Sequence, residues 1–175
     1  PASPAWLVLI FPLAFRFTCY YYRKAYYRAF AASPPGCAVG AIPQHPYKGE
    51  TGLLIIQNIH RYAMYFAILF VFFLSYDAVL SFFNNGKLGI GVGSIILTIN
   101  PILIGCYTFG CHSFRHLIGG HANCYSCGIV GKAKHNAWTK ATFLNERHEI
   151  FAWASLVWVG LSDVYVRLVS MGVIH

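Results

Sequence analysis

Three long apolar stretches restrict this chain to very few folds, because each is long enough to cross the hydrocarbon core of a bilayer. They cover residues 62–83, 88–117 and 149–173, and a membrane-spanning helix needs about 20 apolar residues. Only 10% of the 175 residues are charged, whereas a soluble domain carries about 25%. In lipid, backbone amides are satisfied within helices. The sequence therefore predicts an all-α integral membrane protein, a single domain built as an antiparallel helix bundle.

Two further segments belong to this bundle. The apolar stretch 6–15 is too short to span a bilayer alone. We interpret it as the inner half of a fourth helix, with an interfacial segment as the alternative. Residues 18–30 mix tyrosines with lysines and arginines, which favour the headgroup zone. They predict an interfacial helix within a surface segment, 16–61, that is either a lipid anchor or a docking surface for a soluble partner.

The basic residues determine the predicted orientation. Eleven of the thirteen lysines and arginines lie in two stretches, 16–61 and 115–147. Two spans separate these stretches, so both face the same side, and the positive-inside rule makes that side cytoplasmic. Lys87, in a predicted Asn-Asn-Gly-Lys turn, faces outward. Segregation by span argues against a nucleic-acid surface, so we expect a multi-pass protein of the plasma membrane whose surroundings are lipid.

Cysteine and histidine are concentrated on the predicted cytoplasmic side. Twelve of the fourteen lie there, and disulfides are disfavoured in that reducing compartment, which favours metal ligation or redox chemistry. They are Cys19, Cys37, His45, His60, Cys111, His112, His116, His121, Cys124, Cys127, His135 and His148.

Several interpretations of these residues stay open from their spacing alone. His112 and His116 stand at i and i+4 and share a helix face, and Cys124 and Cys127 form a C-x-x-C pair. Haem b would need two axial histidines from facing helices, an iron–sulfur cluster could use both residue types, and structural zinc needs four donors. Buried cysteines can also act simply as small hydrophobic side chains.

Two polar features lie within or beside the spans. His60 and Arg61 stand at the start of the first span, where they could hydrogen-bond a quinone carbonyl and deliver protons. The alternative is that Arg61 simply reaches the lipid headgroups. In the third span, Asp163 and Arg167 are four residues apart and are expected to pair.

Taken together, these residues resemble the membrane-anchor, cytochrome b-type subunits of succinate dehydrogenase and fumarate reductase. His60 and Arg61 resemble that family's quinone-site pair. Residues 113–117, Ser-Phe-Arg-His-Leu, resemble its small-aliphatic-Arg-His-aliphatic signature, and Arg115 within it is assigned to the quinone site. The actinobacterial-type branch is similar over nearly the whole chain. The motifs that carry this likeness are 18–28, 33–39, 111–116 and 163–167.

The resemblance also implies a redox centre. The family's axial haem histidine lies four residues before the small residue of the signature, and that position is Phe109 here, which cannot ligate iron. The actinobacterial-type branch implies a Rieske-type [2Fe–2S] cluster instead, with two cysteines on one iron and two histidines on the other. Its expected ligands come from Cys19, Cys37, Cys111, His112 and His116. Haem b is the alternative.

The implied function is electron transfer rather than succinate chemistry, because the chain has no G-x-G-x-x-G dinucleotide motif. We expect the non-flavin anchor subunit of a succinate:quinone oxidoreductase, which carries only the quinone-reduction site. It would bind a flavoprotein and an iron–sulfur subunit and pass electrons to menaquinone or another membrane quinone. A structural or zinc-binding membrane protein is the alternative from a different class.

Overall fold

The computed structural model describes residues 5–19, 22, 51–84, 87–119 and 124–174. Six helices and one short antiparallel hairpin make up these residues, and the hairpin holds their only strands. The prediction of an all-α fold is confirmed. The helices are α1 (Ala5–Thr18), α2 (Thr51–Leu80), α3 (Val92–Phe109), α4 (His112–Gly119), α5 (Gly128–Glu146) and α6 (His148–Ser170), and the strands are β1 (Phe83–Asn84) and β2 (Lys87–Leu88).

Three of the helices are long and apolar enough to cross a membrane. The spans are Asn58–Leu80 within α2, Val92–Phe109 in α3 and His148–Ser170 in α6. Large apolar side chains such as Phe72 and Val157 are exposed along them. A surface of that kind is stable in lipid and unfavourable in water, so the prediction of three membrane-spanning helices is confirmed.

The described chain divides into two compact units, residues 1–66 and 67–175. In the first unit, α1 runs antiparallel to the beginning of α2. Phe11 stacks on Phe66 with ring centroids 4.2 Å apart, and Phe15 stacks on His60 at 4.6 Å. Helix α1 thus includes the stretch predicted as part of a fourth helix, and it continues to Thr18. Apart from residues 18, 19 and 22, the predicted interfacial helix lies outside the described residues.

In the second unit, α3 and α6 are antiparallel. The indole N–H of Trp158 donates to the Ile96 carbonyl at 3.2 Å, and Tyr107 stacks on His148 with centroids 4.8 Å apart. This arrangement places the hairpin and the end of α6 at one end of the unit, and α4 and α5 at the other. The predicted pair in α6 is confirmed, because Arg167 Nε lies 2.8 Å from Asp163 Oδ2.

The predicted second span is shorter than expected. Instead of running to residue 117, α3 ends at Phe109, and α4 begins after Gly110 and Cys111. The break accommodates α5, since the buried Asn145 donates from Nδ2 to the Gly110 carbonyl at 2.7 Å. A Cβ at Gly110 would lie only 2.9 Å from the carbonyl oxygen of Leu144. Hydropathy depends only on residue types along the sequence, so it cannot predict this close approach of two helices.

Replacing Asn145 with alanine is expected to destabilise this end of the second unit. The Gly110 carbonyl would lose its buried donor, at a cost of about 1–3 kcal/mol, so we expect a lower thermal midpoint for the purified protein in detergent. Thr139→Ala is the matched control, because Thr139 lies on the same helix and makes only an exposed hydrogen bond to the His135 carbonyl. Equal midpoints for the two variants would contradict the prediction.

Candidate functional site

His60 is held in one orientation in the first unit. Its side chain is buried, with 8% exposure, and its ring lies nearly parallel to that of Phe15, at 9°. Its Nδ1 lies 2.8 Å from the hydroxyl of Thr18, which also lies 2.8 Å from the Ala14 carbonyl. Which of the two atoms donates in the contact between Thr18 and His60 depends on the tautomer of the imidazole. The contact, together with the stacking on Phe15, fixes the orientation of the ring.

The end of α1 carries an arginine that contacts a buried tyrosine. Arg16 donates to the hydroxyl of Tyr22, and its guanidinium lies 5.7 Å from the centre of the Tyr22 ring. Tyr22 is almost completely buried, and Arg61, next to His60 in the sequence, is half-buried. Sequence reasoning did not assign Arg16, Thr18 or Tyr22 to the site. Thr18 and Tyr22 nevertheless lie within the 18–28 motif of the resemblance, so that motif could have indicated them as site residues.

Helix α4 in the second unit carries the predicted histidine ligands. His112 and His116 are exposed and lie one turn apart, and Cys111 immediately before the helix is a buried thiol. Partial burial, followed by the positive charge of Arg115, lowers the pKa of His112. A lowered pKa favours the neutral imidazole, which is the form that binds metals.

Arg115, predicted to contact a quinone, lies over an aromatic ring of α5. Its guanidinium carbon is 4.4 Å from the centre of the Trp138 ring, a cation–π geometry. Its Nε atom is buried, and no residue in the described part of the chain accepts a hydrogen bond from it. The Trp138 ring therefore supports one side of the guanidinium.

A buried aromatic pair that sequence reasoning did not single out joins α3 to α6. The rings of Tyr107 and His148 stack at 17°, and both side chains are buried. From the sequence, His148 is only one of the histidines on the predicted cytoplasmic side. The antiparallel pairing of the two helices brings these distant residues together, so no local motif could have paired them.

The five predicted cluster ligands are divided in the structure. Cys19 is a buried thiol of the first unit, Cys111 and the two histidines belong to the second, and Cys37 lies outside the described residues. Within the described ranges, no three His, Cys, Asp or Glu side chains come together in a way that could hold a metal ion. The paired imidazoles of α4 fit the histidine half of a mixed-ligand cluster. The assignment of the cysteine ligands of that cluster stays a prediction.

The C-x-x-C pair is oxidised in the structure. Cys124 and Cys127 form a disulfide with their Cα atoms 5.5 Å apart, so the expectation that disulfides are disfavoured is wrong for this pair. The short loop before α5 turns the two side chains toward each other, and this local geometry does not depend on the compartment. In this state the two sulfurs are not available as metal ligands.

Comparison with known proteins gives two matches. The model of a family described as actinobacterial succinate dehydrogenase subunit SdhC matches residues 2–172. A solved structure, the Mycobacterium smegmatis Sdh1 complex in the apo form, contains a chain with 45% sequence identity and a TM-score of 0.83. The match covers 97% of this chain and 63% of the other, so this chain spans less than two thirds of that relative's length. No curated protein matches.

Proposed function

The chain belongs to the actinobacterial succinate dehydrogenase SdhC family, and from that membership we propose that it anchors a succinate:quinone oxidoreductase and reduces its quinone. In this proposal it binds the flavoprotein and iron–sulfur subunits at the membrane surface. Succinate is oxidised on those partners, and the electrons leave through this subunit. The likeness to a chain of the mycobacterial Sdh1 complex supports the same set of partners.

The observation that carries the quinone site is the fixed, buried imidazole of His60. It lies in the first part of α2, beside the start of the span 62–83 predicted from the sequence, where a quinone with an apolar tail would present its polar ring. A protonated ring nitrogen of His60 would donate to a quinone carbonyl and deliver its proton during reduction. Arg61 supplies an adjacent positive charge, which would stabilise the negative charge that develops on the quinone oxygen during reduction.

Arg115 is proposed as a further quinone contact. A quinone carbonyl would supply the acceptor that its buried Nε lacks among the described residues. The Trp138 ring below the guanidinium would hold it in place while the quinone binds. Menaquinone and other membrane quinones share the carbonyl that these residues would bind.

A Rieske-type [2Fe–2S] cluster is the proposed redox centre, with His112 and His116 on one iron and two of Cys19, Cys37 and Cys111 on the other. When bound, such a cluster supplies one-electron transfer. The packing around Phe109 supports the choice of a cluster over haem b. The Phe109 ring lies 4.9 Å from that of Phe114, so an aromatic contact occupies the position where the wider family has its axial histidine.

Co-purification with activity is the direct test of this function. The tagged chain, expressed with its neighbouring subunits, is expected to retain a flavoprotein and an iron–sulfur protein and to couple succinate oxidation to reduction of a menaquinone analogue. Visible and electron paramagnetic resonance spectra of the same sample separate the redox centres. A Rieske cluster gives a low-g rhombic signal on reduction, haem gives a Soret band and zinc gives neither. A chain that retains no flavoprotein and is silent in both spectra would overturn the proposal.

The membrane orientation follows from the basic residues and can be tested by labelling. We expect cysteine placed at Lys87 to react with an impermeant maleimide in intact cells, and cysteine at Lys132 to react only after permeabilisation. Both substitutions are made in a chain whose Cys124 and Cys127 are serine, and the labelling of that parent chain is subtracted as background. The reverse labelling pattern would place the basic residues outside the plasma membrane.

A further inference from the structure

The disulfide between Cys124 and Cys127 lies in an accessible position at the start of α5. Cys127 is exposed and is the N-terminal capping residue of that helix, and Cys124 is half-buried with its sulfur 3.4 Å from the Ser126 hydroxyl. The next residue, Gly128, has φ of +69°, a left-handed conformation that glycine adopts without strain.

The location of this disulfide conflicts with a purely structural role. It lies at the end of the second unit that holds α4 and α5 with their lysines and arginines, opposite the hairpin of Lys87 and the Asp163–Arg167 pair. The distribution of charge predicts that this basic end faces the cytoplasm. Disulfides that form in the cytoplasm are generally transient and take part in catalysis or redox sensing.

We propose that Cys124 and Cys127 are a redox-active dithiol–disulfide pair that exchanges with cytoplasmic dithiols, and that its state controls how Arg115 is held. The exchange and the control of Arg115 do not depend on the function proposed above. Only an effect of this control on quinone reduction would rest on that function. The exchange itself needs only the pair, its exposure and a reduced dithiol, either a small molecule or a protein.

The exchange is a balanced two-electron reaction. A thiolate of the cytoplasmic dithiol attacks the exposed sulfur of Cys127, the bond to Cys124 breaks, and Cys124 leaves as a thiolate. The second thiolate of the dithiol then attacks its own sulfur in the mixed disulfide and releases Cys127. The dithiol becomes a disulfide, and the chain gains two electrons and two protons. The amino end of α5 stabilises the departing Cys127 thiolate, which favours this second step.

Tyr125, between the two cysteines, connects the pair to α4. Its hydroxyl donates to the carbonyl of Gly119 at 2.9 Å, the last residue of α4, and its ring lies 5.3 Å from that of His135. The packing at Gly119 is tight, because a Cβ there would come within 2.5 Å of the Trp138 ring and 2.8 Å of the Tyr125 hydroxyl. Movement of Tyr125 therefore has to disturb the end of α4.

Trp138 carries the effect from Tyr125 to Arg115. The rings of Tyr125 and Trp138 have centroids 6.3 Å apart, and the Arg115 guanidinium lies on the Trp138 ring at 4.4 Å. With the disulfide closed, Tyr125 is confined to a four-residue loop and this series of contacts is held. Reduction opens the loop, Tyr125 gains freedom, and the support beneath Arg115 loosens.

The test is a redox titration of the assembled complex in membranes, with dithiothreitol and its oxidised form as the dithiol couple. Differential alkylation and mass spectrometry measure each cysteine, and amide hydrogen exchange measures α4. We expect Cys124 and Cys127 to change together as a two-electron pair, and exchange in residues 112–119 to rise about fivefold on reduction, the effect of losing one hydrogen bond. The redox state of the Cys106 thiol should not change with the ratio of dithiothreitol to its oxidised form.

Three variants make the test specific. Replacing both Cys124 and Cys127 with serine should fix α4 in the faster-exchanging state, whatever the dithiol couple. Tyr125→Phe keeps the ring but removes the bond to Gly119, so the cysteines should still titrate while α4 exchanges fast throughout. Cys106→Ser, the matched control, should behave as the wild type.

Three results would overturn the inference. A pair that stays oxidised in cells and across the titration is a structural crosslink, and a pair that never oxidises has no redox role. Titration without any change in α4 would refute the control of Arg115. Neither readout involves quinone, so a complex whose pair titrates but which cannot reduce quinone would refute the proposed function alone.

Discussion

Replacing Arg61 with leucine is expected to abolish quinone reduction by the assembled complex while leaving succinate oxidation by soluble dyes intact. Leucine removes the positive charge beside His60 without leaving a polar group at the start of the span. Loss of one donor to a developing oxyanion lowers turnover by about 10²–10³-fold in well-studied enzymes, and we expect a loss on that scale. The measurement compares succinate-dependent reduction of a menaquinone analogue with reduction of a dye, on the same preparation.

Two controls separate a quinone contact from a lipid contact. Arg61→Lys keeps the charge and should retain part of the activity. Arg147→Leu removes an exposed arginine that contacts Phe143 and Glu146 and should leave both rates unchanged. Unchanged quinone kinetics in an Arg61→Leu complex that contains all subunits would mean that Arg61 serves only to reach the headgroups.

The spans could be predicted from the sequence because burial in lipid depends on composition over about 20 residues. The expected starts and ends were less accurate. Helix α2 begins at Thr51, eleven residues before the predicted span, because polar residues such as Gln57 and Asn58 lower the hydropathy without interrupting a helix. The end of α3 at Phe109 depends on α5 through Asn145 and Gly110, a contact between residues 35 positions apart.

The candidate site shows the same limit. The sequence identified His60 from its place beside Arg61 at a span boundary, yet its orientation depends on Thr18, which is 42 positions away. Likewise, Arg115 was assigned through its signature, but its support by Trp138 depends on how α5 folds back on α4. Residue type and spacing predict which side chains have the right chemistry. The partner that fixes each one is set by tertiary packing.

The disulfide illustrates a different limit. The expectation for Cys124 and Cys127 rested on the average redox state of a compartment, which is a property of the cell. Whether two particular sulfurs meet is a property of the local loop, here one closed at the start of α5. Both statements hold together if the pair changes between the dithiol and the disulfide.

Serine in place of a cluster ligand is expected to remove the redox centre from the complex. Because two of Cys19, Cys37 and Cys111 are proposed as ligands, single serine variants of those two should each remove the low-g rhombic signal and the two irons of this cluster. The iron of the iron–sulfur subunit should remain, and serine at the third cysteine should have no effect. Cys19 and Cys111 are buried thiols, so serine at either site adds a hydroxyl but changes little in volume. Iron content and electron paramagnetic resonance are measured on each variant.

The histidine half is tested by alanine at His112 and at His116, each of which should remove the signal because the two imidazoles share one iron. Cys106→Ser is the matched control, since Cys106 is a thiol of α3 outside the proposed ligand set, and it should keep the wild-type spectrum.

If serine at all three candidate cysteines leaves the cluster intact, the ligand assignment is wrong, and Cys124 with Cys127 in their reduced state become the pair to test. A Soret band in the wild type, with no low-g rhombic signal, would instead reject the cluster. It would mean that the replacement of the family's histidine by Phe109 does not prevent haem binding, with the axial ligand supplied by another helix.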